Sequence, residues 1–179
     1  MNGIGTGRVG RGKSRGRLRA FQEALSRRIG AAGSVIQKDL RLGVRVGEDE
    51  WLVALADAGE VVPVPAITPV PLTKPWMLGV ANIRGRLYSV TDLALFFGGA
   101  PTPATSSARL LLIGQRHNSN AAILVSRVLG LRALADLELL RQETAGWMQA
   151  EFRDEQGQHW RELAVARLLA APEFVAGAA

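Results

Sequence analysis

The residues best suited to catalysis or ligand binding are few in this sequence, and the clearest pattern is a glycine-rich string near its start. Residues Gly7 to Ser14 read GRVGRGKS, which has the spacing G-x-x-x-x-G-K-S of a phosphate-binding loop. Such a loop needs a buried strand before it and a helix after it, so that backbone amides can hold the phosphate. The residues around Ile4 are not a hydrophobic strand and the chain downstream is not α/β. We therefore interpret the string as part of a basic leader.

The other residues that could perform chemistry form no recognisable constellation. His117 and His159 lie in segments that the sequence predicts to be polar turns, without the H-E-x-x-H spacing of a metal site, and we expect both to be exposed. Ser106, Ser107 and Ser126 lack the G-x-S-x-G context of a hydrolase nucleophile. The sequence has no cysteine, which excludes disulfides and thiolate sites. We predict that the protein is not an enzyme and holds no cofactor or metal.

Charge is concentrated at one end of the chain. The net charge of +6 arises in the first 28 residues, where eight arginines and lysines stand against Glu23 alone. The remainder carries 14 basic and 15 acidic residues. A small-barrel nucleic-acid-binding protein with a basic N-terminal arm is therefore an alternative function. The near-neutral body and the lack of aromatics interleaved with basic residues make nucleic acid an unlikely partner. No apolar run reaches the ~20 residues of a membrane span, so we expect no membrane insertion.

The composition divides the chain into three segments. Residues 1–16 are rich in Gly and Arg and poor in apolar residues, which predicts a disordered basic leader. Residues 17–42 form a predicted N-terminal helical segment, with apolar residues at three- and four-residue steps from Leu18 to Ile29. Residues 43–175 contain short apolar runs separated by turn signals, which predict a β domain. A loop at residues 99–107 divides it into two halves that are too small to be stable alone, so we expect two small barrels packed together.

Within the second half, the apolar runs Arg109–Gly114 and Ala121–Val128 predict two strands that Gly130 closes. Residues 136–142 predict a short helix or loop. Residues 147–152 and 159–163 predict another strand pair, and the apolar residues that follow predict a C-terminal helix.

The stretch from Lys74 to Gly98 holds the strongest structural signal. The apolar runs Met77–Ile83 and Leu87–Val90 flank Arg84–Gly85–Arg86, which predicts a β-hairpin with Gly85 in the turn at positive φ. Asp92 follows the second strand and is expected to cap a short helix that ends at Gly98.

The string LGVANIRGRLYSVTDL, Leu78 to Leu93, resembles the most diagnostic motif of the CheW-like domain, the adaptor of bacterial chemosensory arrays. Ile83 and Ser89 replace the usual Leu and Pro, and Ser126 stands where an Asp is usual. The extended form, from Thr73 onward, is most similar to the PilI-type adaptors of twitching motility. The positions that match the motif are Gly79, Val80, Asn82, Arg84, Gly85, Val90, Asp92 and Leu93.

This resemblance implies an all-β fold of two small SH3-like five-stranded β-barrels packed together, with a groove at their junction, besides the N-terminal and C-terminal helices. It implies a cytoplasmic, non-catalytic adaptor at membrane-anchored chemoreceptor arrays. The implied partners are the CheW-like domain of a CheA-type histidine kinase and the tip of a methyl-accepting chemoreceptor, in the type IV pilus system. By matching position, the partner-binding candidates are Glu60, Leu78, Gly79, Asn82, Arg84 and Gly85. An alternative for Glu60 and Arg84, compatible with binding, is an ion pair that fixes the hairpin.

Overall fold

The computed structural model describes residues 39–175, which form eleven β-strands and three short α-helices. The strands are β1 Leu40–Val46, β2 Asp49–Ala54, β3 Ala58–Pro63, β4 Met77–Ile83, β5 Arg86–Asp92, β6 Arg109–Ile113, β7 Ala121–Val125, β8 Arg127–Ala133, β9 Glu138–Gln142, β10 Met148–Arg153 and β11 His159–Leu163. The helices are α1 Leu93–Phe96, α2 Val165–Ala170 and α3 Pro172–Val175. Single 3₁₀ turns occur at Gln115–His117 and Leu134–Asp136. Among these described residues, no helix is long and apolar enough to cross a membrane.

The strands form two sheets, and one of them is built from strands at both ends of the described residues. Sheet A has six strands in the order β8-β1-β2-β11-β10-β9, and sheet B has five in the order β3-β6-β7-β5-β4. Most pairs are antiparallel, but β2 pairs with β11 and β5 pairs with β7 in parallel. Sheet B is built from the consecutive strands β3–β7, whereas sheet A combines β1 and β2 with β8–β11. Sheet A therefore brings together strands that lie far apart in the sequence.

The core lies in three places because several strands are buried on both faces. Along β6, Leu110 and Leu112 pack into a cluster that belongs to sheet B alone, whereas Leu111 and Ile113 face the space between the sheets. Along β2, Leu52 contacts Trp160 in a cluster that belongs to sheet A, while its neighbours Trp51 and Val53 face sheet B. Side chains on a strand alternate between its two faces, so these unbroken apolar runs supply both cores at once. The largest cluster is the one between the sheets.

The predicted division into halves is wrong in its topology. We expected residues 99–107 to connect one barrel to the other, but this loop joins α1 to β6 within sheet B. The passage from sheet B to sheet A occurs at Ser126, between β7 and β8. Sheet A has six strands rather than five. The all-β fold with two packed sheets is confirmed.

Several predicted elements differ in their bounds. Residues 121–128 were predicted as one strand, but Ser126 divides them, and Gly130 lies inside β8 at a bulge rather than at its end. Residues 138–142 form β9 rather than a helix or loop. The C-terminal helix is two short helices, α2 and α3. β1 begins at Leu40, so the last three residues of the predicted segment 17–42 are strand. Residues 17–38 and the leader 1–16 lie outside the described residues.

Candidate partner-binding surface

The β4–β5 hairpin carries most of the candidate residues, and its turn is tightly defined. Ile83 pairs with Arg86, so Arg84 and Gly85 alone form the loop. Both have positive φ, 50° and 80°, as the two-residue turn that suits a twisted hairpin requires. The side-chain oxygen of Asn82 accepts a hydrogen bond of 2.9 Å from the backbone N–H of Gly85. The positive φ of Gly85 was predicted, whereas that of Arg84 was not.

Arg84 and Glu60 form a two-point ion pair at the surface. The two terminal guanidinium nitrogens of Arg84 donate to the two carboxylate oxygens of Glu60 at 2.9 and 2.6 Å. The pair remains open to solvent, since the side chains are 77% and 41% exposed. The ion pair that the sequence left as an alternative for these residues is therefore present. The two residues come from opposite edges of sheet B, since Glu60 lies in β3 and Arg84 follows β4.

Two of the six candidates lie beneath this surface rather than on it. Gly79 is buried at a bulge in β4 with φ 134°, where the backbone of Thr68 crosses it. Thr68 exchanges both backbone hydrogen bonds with Val80, at 2.8 and 2.9 Å. A Cβ atom at residue 79 would lie 2.1 Å from the Thr68 carbonyl oxygen. Leu78 is half-buried against the sheet B cluster. Both residues hold the hairpin in place. The exposed hairpin tip consists of Asn82, Arg84 and Gly85, and Glu60 of β3 joins it through the ion pair.

Asp92 has the capping role that the sequence predicts, and it is fully buried. Its carboxylate accepts hydrogen bonds from the backbone N–H groups of Ala94 and Leu95, at 3.0 and 3.4 Å. It also accepts from the backbone N–H and the hydroxyl of Thr102, each at 2.8 Å. Asp92 thereby fixes α1 and the following loop to the end of β5.

Two exposed apolar side chains near these elements were not predicted from the sequence. Leu87 is 62% exposed and lies opposite Asn82, beside the hairpin turn. Leu72 is 85% exposed and has φ 60°, an uncommon backbone conformation for a bulky residue. The alternation of β5 could have identified Leu87, because Tyr88 and Val90 face the sheet B cluster and Leu87 must face the other way.

A cleft of about 530 Å³ lies where sheet A meets α1. Its aromatic residues are Trp51, Phe96, Phe97 and Trp147, and Trp51 stacks on Phe97 with ring centroids 4.6 Å apart. Arg161 lies over the Trp51 ring and also contacts Asp49. The cleft therefore combines an apolar floor with charged groups at its rim, which is an arrangement suited to binding another protein.

The two histidines differ from each other, and the expectation that both are exposed is wrong for His117. Its side chain is 11% exposed, and Nε2 lies 2.7 Å from Oδ1 of Asp57. His159 is exposed in β11, with Nδ1 3.1 Å from the carboxylate of Glu151. That hydrogen bond lowers the pKa of Glu151 below its ordinary value. Within residues 39–175, no three His, Asp or Glu side chains are grouped as a metal site would require.

Comparison with known proteins gives one consistent family. The CheW-like domain matches residues 41–173. The chain is 31% identical over 102 residues to Protein PilI of Pseudomonas aeruginosa, an alignment that covers 57% of each protein. It is 31% identical over 81 residues to the chemotaxis protein CheW of Helicobacter pylori, covering 45% of this chain and 48% of the relative. The chain thus spans about half the length of the curated relatives that it matches.

The fold has a counterpart among solved structures. The scaffolding protein TtCheW from Thermoanaerobacter tengcongensis superposes with a TM-score of 0.63 at 18% identity, over 76% of this chain and 95% of that one. At this identity the structural likeness establishes a shared fold only, and family membership rests on the sequence match to the CheW-like domain. On the match over residues 41–173, the chain belongs to the CheW-like domain family.

Proposed function

We propose that this protein is a non-catalytic adaptor that couples a methyl-accepting chemoreceptor to a CheA-type histidine kinase in the control of type IV pilus twitching motility. Family membership and the similarity to PilI support the chemosensory and pilus parts of this proposal. The observation that carries the binding role is the exposed ion pair of Glu60 and Arg84 on a turn of fixed geometry. In this proposal the adaptor works in the cytoplasm, at the receptor arrays.

The tip of the hairpin is suited to recognition because it is ordered before a partner arrives. Asn82 holds the turn, and Glu60 holds the Arg84 guanidinium. A side chain that is already oriented loses less conformational entropy on binding than a free one. Arginine, with five hydrogen-bond donors, is common among the residues that dominate interface energies. Leu87, exposed beside the turn, adds apolar surface near Arg84.

An adaptor needs two faces, one for each partner. We assign the hairpin tip to one face and the aromatic cleft between sheet A and α1 to the other. The cleft is lined by Trp51, Phe97 and Trp147, and large aromatic side chains are enriched at the centres of interfaces. Trp51 lies in β2 of sheet A and Trp147 directly precedes β10 of the same sheet, whereas the hairpin belongs to sheet B. Two partners can therefore bind without competing for the same residues.

The test is the affinity of Arg84→Ala for each partner. An exposed ion pair contributes only about 0–1 kcal/mol to folding, so the variant should unfold at nearly the parent's denaturant midpoint. Loss of a central arginine should weaken binding of the kinase's CheW-like domain or of a receptor tip fragment by at least about tenfold, which equals ~1.4 kcal/mol. Isothermal titration calorimetry with each purified fragment measures this directly.

Arg86→Ala is the matched control, because Arg86 is exposed on the same hairpin and forms no ion pair among the described residues. It should bind both partners like the parent. If Arg84→Ala retains both affinities, or if the two variants lose affinity equally, the hairpin tip is not the binding face.

A parallel titration with single-stranded DNA tests the nucleic-acid alternative, since phosphate-driven binding weakens steeply with salt. Tight, salt-sensitive DNA binding beside no affinity for the kinase fragment would favour that alternative.

A further inference from the structure

A small pocket of about 190 Å³ lies where the chain passes from sheet B to sheet A, away from both faces discussed above. Arg45 of β1 and Arg127, the first residue of β8, form one side of it. The other side comes from Ser126, between the two sheets, and from the loop that connects α1 to β6. The loop residues in the lining are Pro103, Thr105 and Ser107.

The two arginines present an unbalanced charge to this pocket. Arg45 and Arg127 are directly opposite each other in the β1–β8 ladder, and like charges in that position destabilise a sheet. One terminal nitrogen of Arg45 donates to Glu50 at 2.5 Å, but its Nε is buried without a hydrogen-bond partner. The exposed guanidinium of Arg127 has no ion pair or hydrogen bond with any described residue. No carboxylate lines the pocket.

Hydroxyl groups complete the lining opposite the arginines. Oγ1 of Thr105 lies 2.9 Å from Oγ of Ser107, and Ser107 donates weakly to the carbonyl of Ser126 at 3.3 Å. The hydroxyl of Ser126 donates to the carbonyl of Arg45 at 3.0 Å. Hydroxyl groups can rotate, so the Thr105 and Ser107 protons can turn toward an acceptor placed in the pocket. The pocket therefore offers two guanidinium groups and hydroxyl donors, and it lacks an anion.

We propose that this pocket binds a phosphate group. Guanidinium groups recognise phosphate through paired hydrogen bonds, and the hydroxyls can donate to the remaining oxygens of a tetrahedral anion. A bound dianion would also relieve the repulsion between Arg45 and Arg127. Because the lining comes from β1, the loop before β6 and the β7–β8 connection, occupancy should stabilise the contact between the two sheets. This site is independent of the proposed adaptor role.

The experiment titrates the purified full chain with inorganic phosphate at constant ionic strength, with acetate as the comparison anion. Binding is followed by calorimetry and by the thermal midpoint, which rises when a ligand binds only the folded state. We expect saturable phosphate binding, a higher midpoint and no comparable effect of acetate. Arg127→Gln should weaken the phosphate affinity at least about tenfold. Arg86→Gln, which removes an exposed arginine elsewhere, should leave it unchanged.

A second variant adds the missing carboxylate. Ser126→Asp places an anion inside the pocket, so it should abolish phosphate binding and raise the thermal midpoint measured without phosphate. Titration with a phosphoserine peptide distinguishes the two possible sources of the phosphate group. A higher affinity for the peptide than for inorganic phosphate identifies a phosphorylated protein side chain as the ligand, and a lower affinity identifies free phosphate. The proposal is overturned if phosphate binding is not saturable, if acetate binds equally well, or if Arg127→Gln and Arg86→Gln behave alike. Arg127 is exposed, so its variant remains informative even if Ser126→Asp fails to fold.

Discussion

Replacing Gly79 by alanine should be among the most damaging single-methyl changes in this protein. The added Cβ would lie 2.1 Å from the Thr68 carbonyl oxygen and 2.8 Å from Cα of Pro69, and both are backbone atoms that cannot rotate away. The φ of 134° is also one that L residues rarely adopt. A disfavoured backbone conformation costs about 1–3 kcal/mol, and an overpacked contact costs about the same again. We therefore expect a loss of about 3–5 kcal/mol in the free energy of unfolding, a large part of the ~5–15 kcal/mol typical of a domain.

Gly85→Ala separates the two contributions. Gly85 has φ 80°, so alanine is strained there too, but no atom lies within 4 Å of the added Cβ. Its expected loss is about 1–2 kcal/mol, from the backbone alone. Urea unfolding followed by tryptophan fluorescence gives both values. Amide hydrogen exchange at Thr68 and Val80 should rise in Gly79→Ala and not in Gly85→Ala, because the clash separates these two residues. Equal losses in the two variants would show that the Thr68 crossing does not need the glycine.

Three further predictions follow from the packing. Strands β6 and β7 supply both the sheet B cluster and the core between the sheets, so the two sheets should unfold together. Single-tryptophan variants that report at Trp76 and at Trp160 should therefore unfold with coincident midpoints, and two resolved transitions would contradict this. Asp92→Ala should lower the free energy of unfolding by about 2–4 kcal/mol, since it removes a helix cap and leaves the part-buried N–H of Thr102 unpaired. Asp92→Asn, measured by the same urea titration, should restore part of the loss. Hydrogen bonds from the indole N–H of Trp160 and from two backbone N–H groups hold the pKa of Asp154 below its ordinary value of 3.8. The stabilisation that the Asp154 carboxylate provides should therefore be present above pH 3.8 and disappear as the pH falls through the folded-state pKa. Asp154→Asn should flatten this acid limb of the stability curve, and an unchanged limb would assign it to other carboxylates.

The elements that sequence analysis located are those specified by neighbouring residues. The hairpin has a glycine turn between two apolar runs and a capping aspartate after it, and all of these signals lie within 25 residues of each other. The segment Glu138–Gln142 was misassigned because Glu, Leu, Arg and Gln favour helices, whereas pairing with β10 makes it a strand. That pairing depends on residues elsewhere in the chain. Local composition could not reveal it.

The insertion of sheet B between the strands of sheet A was hidden for the same reason. In sheet A, β2 pairs with β11, which lies more than a hundred residues further along the sequence. The residues of β2 carry no signal that identifies this partner strand. The apolar runs show only that a strand is buried on both faces. A division at the Pro- and Thr-rich loop 99–107 was therefore reasonable from composition. The chain instead passes from sheet B to sheet A at Ser126, a single polar residue within an apolar run. His117 was placed at the surface because its neighbours are polar, but its contact with Asp57 joins two loops distant in sequence.

The edges of sheet B explain why binding at the hairpin should depend on side chains rather than on strand addition. β3 is one edge, and it ends at Pro63, which has no N–H to offer a new strand. β4 is the other edge, and its N–H and C=O groups at Val80 are already taken by Thr68. The ion pair of Glu60 and Arg84 joins these two edges. Pro63 and the Thr68–Val80 bonds block strand addition at these points, so we expect a partner's affinity to come mainly from exposed side chains, which can be changed one at a time.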